Sequence, residues 1–136
     1  MKRVNIILGI SMLVLLSASL ILSGCKKKKD EAVTPSFVVT ATTVPLAGGG
    51  EGLQFYGKCT NTDVKMTKAT VTDPIGSSPI TYNLNGNYVV RNEVFMLEDA
   101  TQAYTKAIGT WTFSFVGNLT SDGTSFSVGA SLTVGK

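Results

Sequence analysis

Apolar and polar residues alternate along most of the chain after residue 36. The clearest case is Trp111, Phe113 and Phe115, which are separated by Thr112 and Ser114. A period of two indicates a β-strand with one buried side and one side that faces solvent. Similar short apolar runs predict further strands at 37–43, 53–59, 64–71, 79–83, 88–91, 94–97 and 126–134. Since turn-forming residues separate these runs, the pattern predicts an all-β domain.

The alternation changes phase once, between residues 66 and 69. Val64 and Met66 share one side of a strand, whereas Ala69 and Val71 are one residue out of step with them. Because successive side chains point to opposite faces, all four can face the core only where one residue is inserted. The sequence therefore predicts a β-bulge near Thr67-Lys68.

Two local signals concern the connections between strands. Asn85-Gly86 predicts a tight hairpin that joins 79–83 to 88–91, because both residues favour the positive φ of a type I′ turn. Residues 98–107 contain Ala, Gln and Glu, which suit a helical turn. That segment is too short and too weakly periodic to predict a stable helix.

Two stretches resemble the Ig-like repeats of bacterial surface proteins. The stretch from Cys59 to Pro74 begins Cys-Thr-Asn-Thr-Asp-Val and ends Val-Thr-Asp-Pro. It is similar to the second and third strands of that family, although Asp63 stands near the place of the family's turn glycine. Gly109-Thr110-Trp111 is similar to the family's entry into its penultimate strand. The resemblance implies an immunoglobulin-like β-sandwich of about seven strands over residues 36–136.

The N-terminus has the pattern of an export signal. Lys2 and Arg3 precede an apolar run at 6–22, as in the charged and apolar regions of a signal peptide. Because the run approaches the roughly 20 residues that cross a bilayer, an uncleaved membrane helix is the alternative.

The end of that run favours a cleaved signal. Leu22, Ser23, Gly24 and Cys25 resemble the lipobox of bacterial lipoproteins. The resemblance implies a signal peptide at 1–24, cleavage before Cys25, lipidation of its sulfur and acylation of the new N-terminus. Each buried methylene contributes about 0.8 kcal/mol, so several acyl chains would anchor the protein firmly to a membrane.

A charged stretch follows the cysteine. Lys28, Lys29, Asp30 and Glu31 resemble the export signal of Bacteroidetes-type lipoproteins, which implies a lipid-anchored location on the outer membrane, at the cell surface. The alternative is a solvated spacer that lies against anionic headgroups. Residues 25–35 are then the lipidated cysteine and a flexible tether.

Charge is distributed unevenly, and this excludes one class of partner. The chain has a formal charge of +3, but residues 36–136 contain six basic and seven acidic residues. A near-neutral domain has no electrostatic footprint for nucleic acid. The positive charge belongs to the signal and the tether.

Catalytic and metal chemistry have little support in this sequence. It contains no histidine, which is the commonest general base and metal ligand. We therefore predict no catalytic residues, no metal site and no cofactor. Lipidation would use Cys25 and leave Cys59 unpaired, and its position in an apolar strand predicts a buried, inert thiol.

These observations favour a non-enzymatic lipoprotein of the cell envelope with a structural or adhesion domain. The alternative is an accessory module that binds a glycan or an envelope protein through exposed tyrosines, with Tyr56, Tyr82 and Tyr88 as candidates and Tyr104 as a fourth. Several tyrosines on one outward face would form a stacking platform, but tyrosines also commonly cover half-buried edges of a sandwich.

Overall fold

A computed structural model describes residues 31–97 and 103–136. All the regular secondary structure in these residues is β-strand. The predicted signal peptide, the lipobox and most of the tether lie outside these residues. The strands are β1 (Phe37–Pro45), β2 (Glu51–Cys59), β3 (Val64–Thr72), β4 (Ile80–Val89), β5 (Val94–Met96), β6 (Tyr104–Thr105), β7 (Gly109–Leu119) and β8 (Ser125–Val134).

The strands form two antiparallel sheets that pack face to face. Sheet A has the order β1-β2-β5, with β6 also paired to β2, and sheet B has the order β4-β3-β7-β8. The first, second and fifth strands thus lie in one layer and the third, the fourth and the last two in the other. This is the division of an immunoglobulin-type sandwich, except that the fourth strand lies on the sheet of the third. The predicted immunoglobulin-like β-sandwich is confirmed.

Strands β5 and β6 lie along the same edge of β2. Residues Tyr56 to Lys58 pair with β5, whereas Gly52 and Leu53 pair with β6. The two short strands therefore occupy the place of one interrupted edge strand, which gives seven strand positions in the sandwich. Within 98–107, for which no stable helix was predicted, Tyr104–Thr105 is a strand; residues 98–102 lie outside the described part.

The predicted bulge is confirmed. The register of β3 shifts between Met66 and Lys68 relative to both of its neighbours. Against β7 the inserted residue is Thr67, whereas against β4 the extra residues lie in β4, where residues 84–86 face Thr67. The insertion turns Val64, Met66, Ala69 and Val71 to one side, and all four are buried.

The hairpin predicted at Asn85-Gly86 is wrong. Asn83 and Asn87 pair with Lys68 and Met66 of the same neighbour, β3, so the chain continues straight through. Asn85 and Gly86 do adopt positive φ, at 51° and 76°. Their conformation accommodates extra residues opposite the bulge of β3 instead of reversing the chain.

The core lies between β2 of sheet A and β7 of sheet B. The ring centroid of Phe55 is 4.9 Å from that of Trp111 and 5.0 Å from that of Phe113. Phe37 stacks on Phe115 at 4.3 Å. The indole N–H of Trp111 donates to the carbonyl of Ala107 at 3.0 Å, so its one polar group is satisfied. The aromatic face predicted for 111–115 is confirmed as the centre of the core.

Candidate functional site

The predicted anchor lies almost entirely outside the described residues. Leu22, Ser23, Gly24 and Cys25 belong to this part, as do Lys28, Lys29 and Asp30 of the predicted export signal. Glu31 is described and is exposed. These sites therefore stay predictions from the sequence.

The chain enters the sandwich through a hydrogen-bonded junction at Asn61. The side-chain N–H of Asn61 donates to the backbone carbonyl of Thr34 at 2.8 Å. The side-chain oxygen of Asn61 accepts from the backbone N–H of Ser36 at 2.9 Å. The backbone N–H of Thr60 also donates to the carbonyl of Ser36 at 2.9 Å. Pro35, between these bonds, is buried. The segment that leads to the predicted tether is thus held to the turn between β2 and β3.

Tyr56 lies on the outer face of sheet A. It is directly opposite Thr40 of β1 and Met96 of β5, and it is half-buried. Its hydroxyl approaches the side-chain oxygen of Gln54 at 3.5 Å. Val38 and Val94 flank it in the next cross-strand row and are both exposed. This face of sheet A presents one tyrosine ring among aliphatic side chains, Thr40 and Lys58.

Tyr82 points in a different direction. It packs against the core from β4, and its hydroxyl forms a hydrogen bond with the hydroxyl of Tyr104. The ring of Tyr104 lies 5.4 Å from Phe55 and 5.6 Å from Trp111. The two tyrosines therefore close the side of the sandwich between β4 and β6, with their rings toward the core and their hydroxyls joined.

Tyr88 is exposed on β4 and is engaged by Asp63. Its hydroxyl donates to one carboxylate oxygen of Asp63 at 3.1 Å, and the other oxygen accepts from the backbone N–H of Arg91 at 2.7 Å. The hydrogen bond to Asp63 favours the protonated phenol and raises the pKa of Tyr88 above its ordinary value, with burial as a smaller contribution. The arrangement fixes the end of β4 to the turn that precedes β3.

The structure does not bring the three candidate tyrosines together. Tyr56 lies on the outer face of sheet A, Tyr82 lines the core, and Tyr88 lies on sheet B in a contact with Asp63. No shared stacking platform is formed by them. The sequence analysis also missed Asn61 and Asp63 as connecting residues; the turn-forming run Asn-Thr-Asp was the only signal for them.

One concave surface lies at the end of the sandwich away from Asn61. It is a shallow depression of about 440 Å³, lined in part by Leu46, Gly50 and Ile108. The ammonium of Lys106 and the carboxylate of Glu51 form an ion pair of 2.6 Å at its rim. Such surface pairs contribute little to stability.

Cys59 is the free cysteine of the described part, and it is fully buried. Its thiol lies 3.7 Å from the side-chain oxygen of Asn61. The predicted buried thiol is confirmed in position.

Residues 31–97 and 103–136 show neither of two further site types. They contain no group of three or more Cys, Asp or Glu side chains arranged to hold a metal ion. In the same residues no helix has the length and apolarity needed to cross a membrane. No protein-family model matches the chain, and neither does any curated protein or solved structure.

Proposed function

We propose that this chain is a lipid-anchored, non-enzymatic protein of the cell envelope and that its β-sandwich is a structural or adhesion module. The anchor is the thioether-linked lipid on Cys25, and the location is the outer membrane, with the domain at the cell surface. The support for the anchor comes from Leu22-Ser23-Gly24-Cys25 and the charged stretch behind it.

The observation that carries the structural role is the position of the two chain ends on the sandwich. Phe37, where β1 begins, pairs with Cys59, whereas Val134 at the end of β8 pairs with Gly109. The chain thus enters at one end of the strands and leaves at the other. Since β7 has 11 residues, these ends are separated by roughly 35 Å. A tether at the first end would hold the opposite end away from the membrane.

That far end carries exposed aliphatic side chains. Ile75, Ile80 and Ile108 all lie there and are 80%, 48% and 59% exposed. Val38, Val90 and Val94, toward the Asn61 end, are exposed to a similar extent, so apolar surface is not concentrated at the far end. The support for adhesion is the distance between the far end and the tether.

The anchor is tested by metabolic labelling. Cells that express the full chain would be fed an alkyne fatty acid, and the protein would be detected by click chemistry. Cys25→Ala should abolish labelling and leave the uncleaved precursor, because the only sulfur able to accept the lipid is then missing. Cys59→Ala is the matched control and should label like the wild type. Equal labelling of wild type and Cys25→Ala would refute the proposal.

The location is tested by protease treatment of intact cells. If the domain faces outward, protease should remove it from the wild type. Replacement of Lys28, Lys29, Asp30 and Glu31 by Ala and Ser should protect it, because the export signal is then absent. A wild-type protein that resists protease on intact cells, but not on lysed cells, would place the domain inside the envelope.

A further inference from the structure

The outer face of sheet A carries a small apolar patch with one lysine at its centre. Val38, Lys58 and Val94 lie side by side, because Lys58 of β2 pairs with Val38 of β1 and with Val94 of β5. The two valines are 47% and 60% exposed. Tyr56 lies two residues along β2, in the next row of the same face. These four residues are called the sheet A patch below.

The composition of this face differs from that of the other sheet. The outward-facing positions of β7 and β8 in sheet B are Ser, Thr, Gly and Asn, apart from Val116. On sheet A, Lys58 is the one charged residue among the outward-facing positions of β1, β2 and β5. Thr42 pairs with Gln54 in the row beyond Tyr56 and its partner. Polar residues therefore bound the patch on the side away from Asn61.

The side chain of Lys58 suits a boundary between water and lipid. It is half-buried and lines a shallow depression with both valines and Tyr56. The ion pair within residues 31–97 and 103–136 joins Lys106 and Glu51, so Lys58 has no carboxylate partner in this part of the chain. Lysines at membrane interfaces cover apolar surface with their stems and keep the ammonium in water. Tyrosine rings are enriched at the same depth.

The carboxylates at this end of the sandwich do not lie on the patch. Asp63 and Asp122 belong to the turns before β3 and β8 of sheet B. Glu93 precedes β5, and its carboxylate accepts from the backbone N–H of Val90 at 3.2 Å. The outer face of sheet A near Asn61 thus combines apolar side chains with a single positive charge.

The length of the chain keeps this end close to a membrane if Cys25 carries the lipid, as in the proposed function on which this part rests. Thr34 is hydrogen-bonded to Asn61 and lies nine residues after Cys25. A fully extended chain of nine residues spans at most about 30 Å. The patch is therefore always within reach of the bilayer, whereas the opposite end of the sandwich lies roughly 35 Å farther along the strands.

We infer that the sheet A patch docks on the bilayer in which the chain is anchored. The two valines lie at the boundary between headgroups and acyl chains, and the Lys58 ammonium binds headgroup phosphates as a point charge. So small an apolar surface binds a membrane weakly by itself. The anchor makes the contact intramolecular, with an effective concentration of about millimolar for a short tether. Because polar residues follow Tyr56, the contact tilts the domain and leaves its far end free.

The contact is tested by fluorescence quenching with the full-length, lipidated protein. It would be reconstituted in vesicles of phosphatidylcholine and phosphatidylglycerol with brominated acyl chains. Bimane would label Val94→Cys at the new thiol, because lipid occupies Cys25 and Cys59 is buried. Ile108→Cys is the matched control, since Ile108 is 59% exposed and lies at the far end. We expect the label at position 94 to lose most of its fluorescence and the label at position 108 to keep it.

Charge reversal at Lys58 tests the headgroup contact. In the labelled Val94→Cys protein, Lys58→Glu should remove most of the quenching, because a carboxylate repels phosphate. Lys68→Glu is the matched control, since Lys68 is an exposed lysine on the outer face of sheet B. The same change of net charge should leave the quenching intact there. Equal losses for both variants would mean that net charge, and not the patch, holds the domain at the membrane, and would overturn the inference.

Flotation of the vesicles in a density gradient reports the anchor separately. Protein that does not float with the vesicles would refute the anchor and this inference with it. Protein that floats but shows equal quenching at positions 94 and 108, or none at position 94, would overturn the inference alone. A blue-shifted label at position 94 without quenching would place a second copy of the chain on the patch and would also overturn it.

Discussion

Strands β7 and β8 are neighbours with the same type of sequence pattern, but their inward-facing side chains are buried to different extents. Both alternate apolar and small polar residues over 11 and 10 residues, and they pair with each other along their whole length. Trp111, Phe113 and Phe115 of β7 are nevertheless buried, whereas their partners Leu132, Ala130 and Val128 of β8 are half-exposed. The difference arises because β7 has strands on both sides and β8 on one side only.

This comparison separates the direction in which a side chain points from the extent to which it is buried. The alternation decides which side chains point inward. The number of neighbouring strands decides how completely those side chains leave water, and the free energy of burial follows the area removed from water. Matched substitutions in the two strands measure that second property.

The largest difference is expected for the cross-strand partners Trp111 and Leu132. Trp111 is 1% exposed and contacts Phe55 and Tyr104, so Trp111→Ala should lower the free energy of unfolding by about 3–5 kcal/mol. A domain of this size has about 5–15 kcal/mol in total. Leu132→Ala should lower it by about 1–2 kcal/mol, because half of the side chain is already exposed.

Urea unfolding of residues 33–136, followed by circular dichroism, measures both values. If Leu132→Ala is as destabilising as Trp111→Ala, β8 is covered in solution.

A smaller difference is expected for a pair of glycines. A Cβ added at Gly117 of β7 would lie 2.2 Å from the backbone oxygen of Lys65 in β3, whereas one added at Gly129 of β8 would meet its nearest atom at 3.5 Å. Gly117→Ala must push β3 and β7 apart and should cost about 1–3 kcal/mol. Gly129→Ala should be neutral or slightly stabilising, since it restricts the unfolded chain.

The midpoint of thermal unfolding measures this second comparison. Gly117→Ala should shift it downward and Gly129→Ala should leave it unchanged or raise it. Similar losses for both variants would mean that β8 has less room than its position at the edge of sheet B indicates.

The smallest effect concerns the turn that joins the two strands. The backbone N–H of Thr124 donates to the carboxylate of Asp122 at 2.9 Å. This bond, with the hydroxyl of Thr124, lowers the pKa of Asp122 from its ordinary value of 3.8. A carboxyl whose pKa is lowered by folding stabilises the protein above the pKa of the unfolded chain, and this contribution is lost as the pH falls through the lower folded pKa.

Unfolding midpoints at a series of pH values measure this contribution. Wild type should be slightly more stable than Asp122→Asn at pH 6, and the difference should shrink on acidification below pH about 4. Asp73→Asn, at a turn outside β7 and β8, should show the same pH dependence, because the hydrogen bonds of Ser77 also lower the pKa of Asp73. A difference that is constant from pH 6 to pH 2 would contradict the role of the Asp122 carboxylate.

The bulge, which was predicted correctly, and the hairpin, which was not, show when local sequence signals are enough to predict the path of the chain. The bulge at Thr67 followed from four apolar residues that all needed burial, and only an inserted residue achieves this. Asn85-Gly86 had the right backbone preference, and both residues adopt positive φ. Residues with positive φ can form either a hairpin turn or a bulge. Which of the two forms depends on the strand with which the flanking residues pair. Here both flanks pair with β3, and that pairing joins residues far apart in the sequence.

The candidate tyrosines show the same limit at the level of the site. From sequence alone, Tyr56, Tyr82 and Tyr88 were equivalent aromatic residues in alternating strands. The structure separates them because they belong to different sheets and faces, and because Tyr82 finds the hydroxyl of Tyr104 across the edge of the sandwich. That contact joins residues 22 positions apart and has no local signature.

The sequence by itself determined the all-β class, the inward faces of β2, β3, β7 and β8, the bulge, and the pattern that predicts a lipid anchor at Cys25. Each of these depends on the spacing of side chains along a few consecutive residues. Only the tertiary structure decided that β7 is central and β8 is an edge, that β5 and β6 share one edge position, and that the tyrosines do not form a platform. Those properties depend on which strands become neighbours. Strands pair through backbone hydrogen bonds, which every sequence can form, so the local pattern of side chains does not specify the partner strand.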